Sequence, residues 1–534
     1  MADLSRILSA TSPLTLSSVA RGAQPLVLAD LARAAAAKTG TPRTVFIAAD
    51  DTAMRAVTES AAFFAPELEV IEFPAWDCLP FDRASPALSA SSRRLSALQR
   101  LQWKREGPQL FVTTINAVLQ RVLTPFRIRE STRLLKPGME IGRESLIALL
   151  QRQGYARTDT VVDSGEYAVR GSVFDIYPSG LDHGLRLDFF GDELETLRLF
   201  DPNTQRSVQP VETHLLLPAS EALLDEDSIK RFRSRYREMF GANATGDPLY
   251  QAVSDGRRLA GMEHWLPLFE DRLVTLFDHL ADGDLVVLDS AAAKAAESRL
   301  SDIADYHHAR VESASRSPGS YRPLGETALY LGKDEFERAL AGWPVHRMSI
   351  FAEPESSRAV DFGFTGSRDF APDRAQGGNI YEAAAKHLAA LGTRGLKPIV
   401  AAYTAGSRAR LASLLGEAGK SAPAMADTWQ EALGLAAKGK PVAVVLPLES
   451  GFANDELELL TEQDILGDRL VRRKKKRKDA DAFLAELSAL NPGDLVVHIE
   501  HGIGRYIGLE AVAVGDSPHD CVQLEYAGGD KLYI

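Results

Sequence analysis

A chain of 534 residues exceeds the roughly 250–300 residues at which one hydrophobic core stops growing, and about 150 residues per domain predicts some three to four domains. Its 45% hydrophobic and 25% charged residues are the ordinary globular balance, which excludes disorder as the default state. A formal net charge of −12 argues against nonspecific duplex binding by the whole chain, since phosphate contacts need Lys and Arg in excess; protein partners fit better, and a local basic patch stays open.

The start, Met1-Ala2-Asp3-Leu4-Ser5-Arg6, lacks the basic and apolar regions of a signal peptide. No apolar run reaches the ~18 residues of a membrane span. The cysteines Cys78 and Cys521 are too few for a disulfide framework or a zinc site, and fit incidental thiols in a reducing cytoplasm. Residues 1–125 read as α/β. An Ala-rich helix over 26–38 is followed by strands at 45–49, 68–73 and 110–114, with a helical pattern at 92–103. Such alternation predicts a parallel sheet. Residues 126–215 change texture. One amphipathic helix (143–153) precedes β-rich runs at 167–177, 185–190 and 195–200, cut by Gly, Asp and Pro, which predicts an inserted α+β domain built on hairpins.

The α/β texture returns over 216–345, with a buried strand at 285–289 ending in Asp289 and a loop-like stretch from Ser313 to Tyr321. A further small α/β domain is expected over 355–465, with strands at 398–403 and 442–446 around a helix at 407–415. A basic linker (466–490) carries the run Arg472-Arg473-Lys474-Lys475-Lys476-Arg477-Lys478, read as solvated. Residues 491–534 are β-rich, with glycine corners that suggest a small curved barrel of the SH3-like kind. The pattern stops inside a strand at Ile534, so a fragment of a longer protein, or a split one, is expected.

The α/β parts lack a phosphate-binding loop. Gly-x-x-x-x-Gly-Lys-Ser/Thr lets backbone N–H groups surround phosphates that a Lys neutralises. The segment in the corresponding place, Ser18-Val19-Ala20-Arg21-Gly22-Ala23-Gln24-Pro25, has one glycine and no such lysine. Gly416-Glu417-Ala418-Gly419-Lys420-Ser421 has the wrong spacing and follows a helix; it reads as a helix C-terminus capped near Gly419. Asp289 resembles a Mg²⁺-site carboxylate, but Ser290 follows where a catalytic Glu is expected. The histidines, His307-His308 among them, show no metal-ligand spacing and read as surface or capping residues. Neither a catalytic nor a metal-ligating residue is assigned.

In a strand, residues two apart share a face. Leu185, Leu187 and Phe189 therefore form one apolar face, and Arg186, Asp188 and Phe190 the other, where an Arg beside an aromatic has the composition of an interface hot spot or of an amphipathic strand whose outer Arg merely snorkels; the resemblance below favours the interface. The runs Gly165–Pro178, Leu185–Glu193 and Leu197–Asp201 are similar to the UvrA-binding domain shared by UvrB and the bacterial transcription-repair coupling factors. Phe73–Asp82, Ser91–Leu95 and Gly261–Phe269 resemble the UvrB-type first domain. Gly451-Phe452 with Leu459–Gly467 resembles the coupling-factor order, and Pro492–Tyr506, Val522–Tyr526 and Lys531–Ile534 resemble the CarD-type RNA-polymerase-interacting domain.

The resemblance implies a degenerate, helicase-like parallel α/β domain with an inserted α+β domain, and an incomplete SH3-like barrel at the end. It implies an adaptor that binds UvrA through Arg170, Arg186 and Phe190, the arginine forks facing partner carboxylates. It also implies docking on the RNA polymerase β subunit beyond Tyr506, through Leu509 and Val512 on one exposed strand edge. DNA would be met mainly by a translocase motor outside this chain, with its ATP and Mg²⁺; no cofactor is expected here. The rivals are a UvrB-like excision-repair ATPase and a CarD-like regulator. The missing phosphate loop opposes the first, and the long UvrB-like region the second.

Overall fold

The computed structural model describes residues 3–37, 43–103, 107–241, 245–316, 322–354, 356–419, 421–467, 493–498, 502–514, 517–526 and 529–533. The basic run at 472–478 lies outside them. The chain forms two compact units, 1–472 and 473–534.

In the larger unit a seven-stranded sheet runs in the order Ala359–Asp361, Thr15–Ser17, His346–Met348, Leu285–Leu288, Thr44–Ala48, Gln109–Thr114, Glu69–Phe73, with every pairing parallel. Its central strands are continuous buried runs, Thr44–Ala48 and Gln109–Thr114 among them, as expected of a sheet covered on both faces. The chain therefore leaves this sheet after Thr114 and returns at Leu285. The strand Ala359–Asp361 also belongs here, although its position in sequence suggests the following α/β unit. The loop expected from Ser313 begins as helix instead, because Ala292–Arg316 is one helical run.

Within this excursion an inserted domain begins and ends on a two-stranded antiparallel ribbon, Arg133–Leu135 against His214–Leu216. Between them lies a six-stranded sheet ordered Ser207–Pro210, Glu193–Phe200, Gly184–Phe190, Val173–Ile176, Glu166–Arg170, Ala156–Arg157. The run 167–177 is thus a hairpin. Helix Arg143–Arg152 buries Leu146 and Leu150 in a core with Tyr167, Phe174, Leu187 and Phe189.

A third sheet runs Thr365–Gly366, Phe452–Ala453, Leu457–Thr461, Lys397–Ala402, Val442–Val445, Ala424–Met425. It shares one core with the first: Phe46 and Phe64 lie in the same apolar cluster as Ile399, Trp429 and Phe452, and Phe64 meets Trp429 edge-on at 5.0 Å. Helix Gln24–Ala37 sits in this shared core, which accounts for its apolar residues on several faces.

The inserted domain is tied to the first by a buried ion pair. Arg94 and Glu221 are both fully buried. Arg94 donates through Nε to Glu221 Oε1 at 2.6 Å, through Nη2 to Oε2 at 3.3 Å, and through Nη1 to the Pro74 carbonyl at 3.0 Å. Trp76 Nε1 donates to Glu221 Oε1 at 2.7 Å, and the guanidinium lies 4.5 Å from the Phe73 ring centroid. The Phe73–Asp82 and Ser91–Leu95 segments thus meet the chain just beyond the inserted domain's last strand. A Cβ on Gly180 would overlap the Ser96 side chain, so the inserted domain sits flush on helix Leu88–Arg100. Trp265 is a core aromatic, its Nε1 donating to the Arg322 carbonyl at 3.1 Å.

Three histidines lie in the core rather than at the surface. His264, His279 and His346 are buried, and burial pushes each imidazole down to about 4. His346 Nδ1 accepts from the Leu14 N–H at 3.2 Å, a bond that requires this nitrogen to be unprotonated.

Two stability predictions follow from these contacts. Glu221→Ala leaves Arg94 as an uncompensated buried charge and is expected to cost about 3–5 kcal/mol. Urea unfolding of Arg94→Ala, Glu221→Ala and the double variant checks this; the double loss should fall well short of the sum, and small additive losses would contradict it. In the second, the unfolded histidines take up protons near pH 6.5 while the folded ones resist, so their contribution is complete above about pH 6.5 and is lost as pH falls towards 4. Glu270, pushed up to about 7 by burial against the pull of Arg127, works in the opposite sense, but His214, which burial also pushes down to about 4, adds a fourth imidazole to the three. The urea midpoint should fall from pH 7 to pH 5; a flat or rising midpoint would contradict the assignment.

Candidate functional site

In the inserted sheet the side chains alternate as the pleat requires. Leu185, Leu187 and Phe189 are buried, Phe189 at 4% exposure, whereas Phe190 is 80% exposed. Two tight hairpins present this end of the sheet. Arg170 pairs with Val173 across Gly171-Ser172, and Phe190 pairs with Glu193 across Gly191-Asp192. Gly171 and Gly191 have φ of +63° and +64°, a conformation strained for residues with a Cβ. Phe190 therefore stands at a hairpin end, with no apolar neighbour covering most of its ring.

The arginines are placed differently from the expectation that both forks are free. Arg186 donates through Nε to Asp175 Oδ1 at 2.7 Å and through Nη2 to Oδ2 at 2.9 Å. Asp175 is 3% exposed. The guanidinium also lies 4.9 Å from the Phe200 ring centroid, and the Asp175 carboxylate holds it firmly in its charged form. Arg170 donates through Nε and Nη2 to the Asp159 carbonyl, at 3.3 and 2.6 Å, and through Nη2 to Thr160 Oγ1 at 2.9 Å. Both side chains are thus engaged within the domain. Asp188, on the same face, accepts from Ser172 Oγ at 3.2 Å. Sequence reasoning missed Asp175 as the partner of Arg186. Its signal was the pair of short strands that register places side by side.

At the place of a phosphate loop, two backbone donors are already occupied. After strand Thr15–Ser17, Ser18 adopts φ +51°; its N–H donates to the Phe351 carbonyl at 3.0 Å, and that of Val19 to the Ser349 carbonyl at 2.9 Å. A Cβ on Gly22 would overlap the Ser450 carbonyl oxygen, so the third sheet's 450–451 loop lies directly against this segment. Asp289 accepts from the Ala291 N–H at 2.8 Å and from Ser290 Oγ at 3.3 Å, which gives it a structural role at the start of a helix. Helix Ala405–Ala418 ends at Gly419, whose N–H bonds the Leu415 carbonyl. Among the described residues no group of three or more His, Cys, Asp or Glu side chains could hold a metal ion, and no helix is long and apolar enough to cross a membrane.

The smaller unit is an antiparallel sheet ordered Leu495–His498, Gly502–Val514, Ser517–Glu525, Lys531–Tyr533. Tyr506 and Leu524 are buried, packed with Val496, Tyr526 and Leu532. Leu509 and Val512 lie in the long second strand, opposite Val522 and His519; their side chains are outside the described residues. The first strand pairs only with Gly502–Arg505, so among the described residues 508–514 have a strand partner on one side only.

Two families match along the chain: the UvrB interaction domain over residues 134–221 and the CarD-like/TRCF RID domain over 490–534. Transcription-repair-coupling factors are similar over most of it. The protein from Escherichia coli K12 is 32% identical over 473 residues, covering 87% of this chain and 40% of that protein. The one from Haemophilus influenzae is 31% identical, covering 87% and 40%. The one from Myxococcus xanthus is 30% identical over 530 residues, covering 92% and 42%. Two domain families in coupling-factor order, and relatives matched along nearly nine-tenths of the sequence, place the chain in the transcription-repair-coupling factor family, of whose curated members it spans about two-fifths of the length.

Proposed function

We propose that this chain is the partner-binding portion of a transcription-coupled DNA repair factor. The inserted domain recruits UvrA, and the β-rich tail, read as a CarD-like, SH3-like barrel, docks on the β subunit of a stalled RNA polymerase. The observation that carries the reading is Phe190. A large aromatic, 80% exposed at a hairpin end, lies within the stretch that matches the UvrB interaction domain. Burying such a ring against water needs a partner. On the tail, among the described residues, the strand carrying Leu509 and Val512 has a strand partner on one side only beyond Tyr506, which suits addition of a partner strand. ATP-driven translocation, with its Mg²⁺ and most of the DNA contact, belongs to the part of the family's length that this chain does not span. The site of action is the cytoplasm.

The rival reading, a UvrB-like ATPase, needs N–H groups free to surround phosphates. Here Ser18 and Val19 donate to protein carbonyls and Gly22 abuts Ser450. Equilibrium dialysis with ATP·Mg²⁺ is expected to give no saturable binding, and saturable micromolar binding would restore the rival.

The adaptor reading is tested with two neighbouring residues. Phe190→Ala should weaken UvrA binding by about 2 kcal/mol or more, roughly thirtyfold, while leaving the melting temperature nearly unchanged. Phe189→Ala should cost about 3 kcal/mol of stability, because that ring packs on Phe174 at 5.2 Å inside the core. Calorimetric titration with UvrA and thermal melts of both variants distinguish the two. Undiminished binding by a folded Phe190→Ala protein would move the interface elsewhere.

A further inference from the structure

Directly opposed residues on neighbouring strands share a face, with Cβ atoms about 4.5–5.5 Å apart, and like charges there destabilise the sheet. The open face of the inserted sheet has such a rank. Register pairs Asp175 with Arg186, and Arg186 with Arg198. The two arginines stand side by side, yet their surroundings differ. Arg186 is half-buried, and its fork is closed on the buried Asp175. Arg198 is exposed, and among the described residues no hydrogen bond or ion pair engages its guanidinium. Its other neighbour is Pro210, on the fully exposed edge strand Ser207–Pro210. The rank therefore carries one carboxylate and two guanidiniums, with the unneutralised charge on Arg198.

Phe190 lies four residues along the same strand face from Arg186, about 13 Å at the usual strand rise. The anchor ring and the open fork thus fit within one standard interface of about 800 Å² per partner. A planar fork with no internal partner is suited to bidentate pairing with a carboxylate.

We propose that Arg198 supplies the free guanidinium of this face and pairs with a carboxylate of the protein that docks on Phe190, with Asp175 as the positioning residue that keeps Arg186 flat and neutralised beside it. This rests on the reading of the face as the UvrA-binding surface.

The test titrates the full chain against purified UvrA at low and moderate salt. Arg198→Ala should weaken binding about tenfold, and Arg198→Glu more, through repulsion of the partner carboxylate. Arg198→Lys should fall between wild type and Ala, since a point charge replaces the fork. The Ala variant should also show a shallower salt dependence than wild type, and a melting temperature no lower, because a like-charged neighbour has been removed. If Phe190→Ala weakens binding while Arg198→Ala and Arg198→Glu stay within about twofold of wild type, Arg198 is not a contact, and the reading of the face survives. If neither position affects binding, the reading of the face fails and this inference fails with it.

Discussion

The position of the inserted domain depends on one buried interaction, the Arg94–Glu221 pair with Trp76 and the Pro74 carbonyl around it. Two full charges out of water are costly unless every donor and acceptor is met. Here Nε, Nη1 and Nη2 of the arginine all have acceptors, and the Glu221 oxygen that accepts from Nε also accepts from an indole N–H. A second layer surrounds it: Ser85 Oγ donates to Glu263 at 2.6 Å, and Arg258 donates to the Ala222 carbonyl at 2.6 Å. The excursion can leave the first sheet at Thr114 and still return in a fixed pose. The exposed face carrying Phe190 is thus presented by a rigid support, which keeps down the ordering cost of binding.

The use of backbone groups in the turn after Thr15–Ser17 bears on the rival, nucleotide-driven reading. A phosphate site keeps N–H groups pointing at empty space until the ligand arrives. In this chain the turn after Thr15–Ser17 spends its donors on Phe351 and Ser349, and the third sheet's loop closes over Gly22. The first and third sheets share a core through Phe64, Trp429 and Phe452. On the proposed reading the α/β architecture is a scaffold that carries the exposed face of the inserted domain.

What sequence reveals follows the range of the interactions. The strand alternation around Phe189 and Phe190 was legible because it is a period-two pattern over seven residues, and the hairpins because their glycines sit between apolar runs. The helix Arg143–Arg152 was legible from its 3.6 period. The Arg94–Glu221 pair was not, since its partners are 127 residues apart and each looks like an ordinary surface charge. Nor was the Asp175–Arg186 pair, which depends on register between two strands; without it, Arg186 reads as a free fork. His264, His279 and His346 were misread as surface or capping groups because burial depends on tertiary packing that no local pattern encodes. Ser450 against Gly22 belongs to the same class.

The exposed sheet face of the inserted domain is the proposed contact with UvrA. Placing a photo-crosslinking phenylalanine analogue at position 190, in the full chain mixed with UvrA, tests it most directly. A covalent adduct with UvrA is expected from position 190 and none from the same analogue at Met239, a residue also exposed, at 54%, but on a helix of the first domain. No adduct from position 190, or equal yields from both positions, would contradict it.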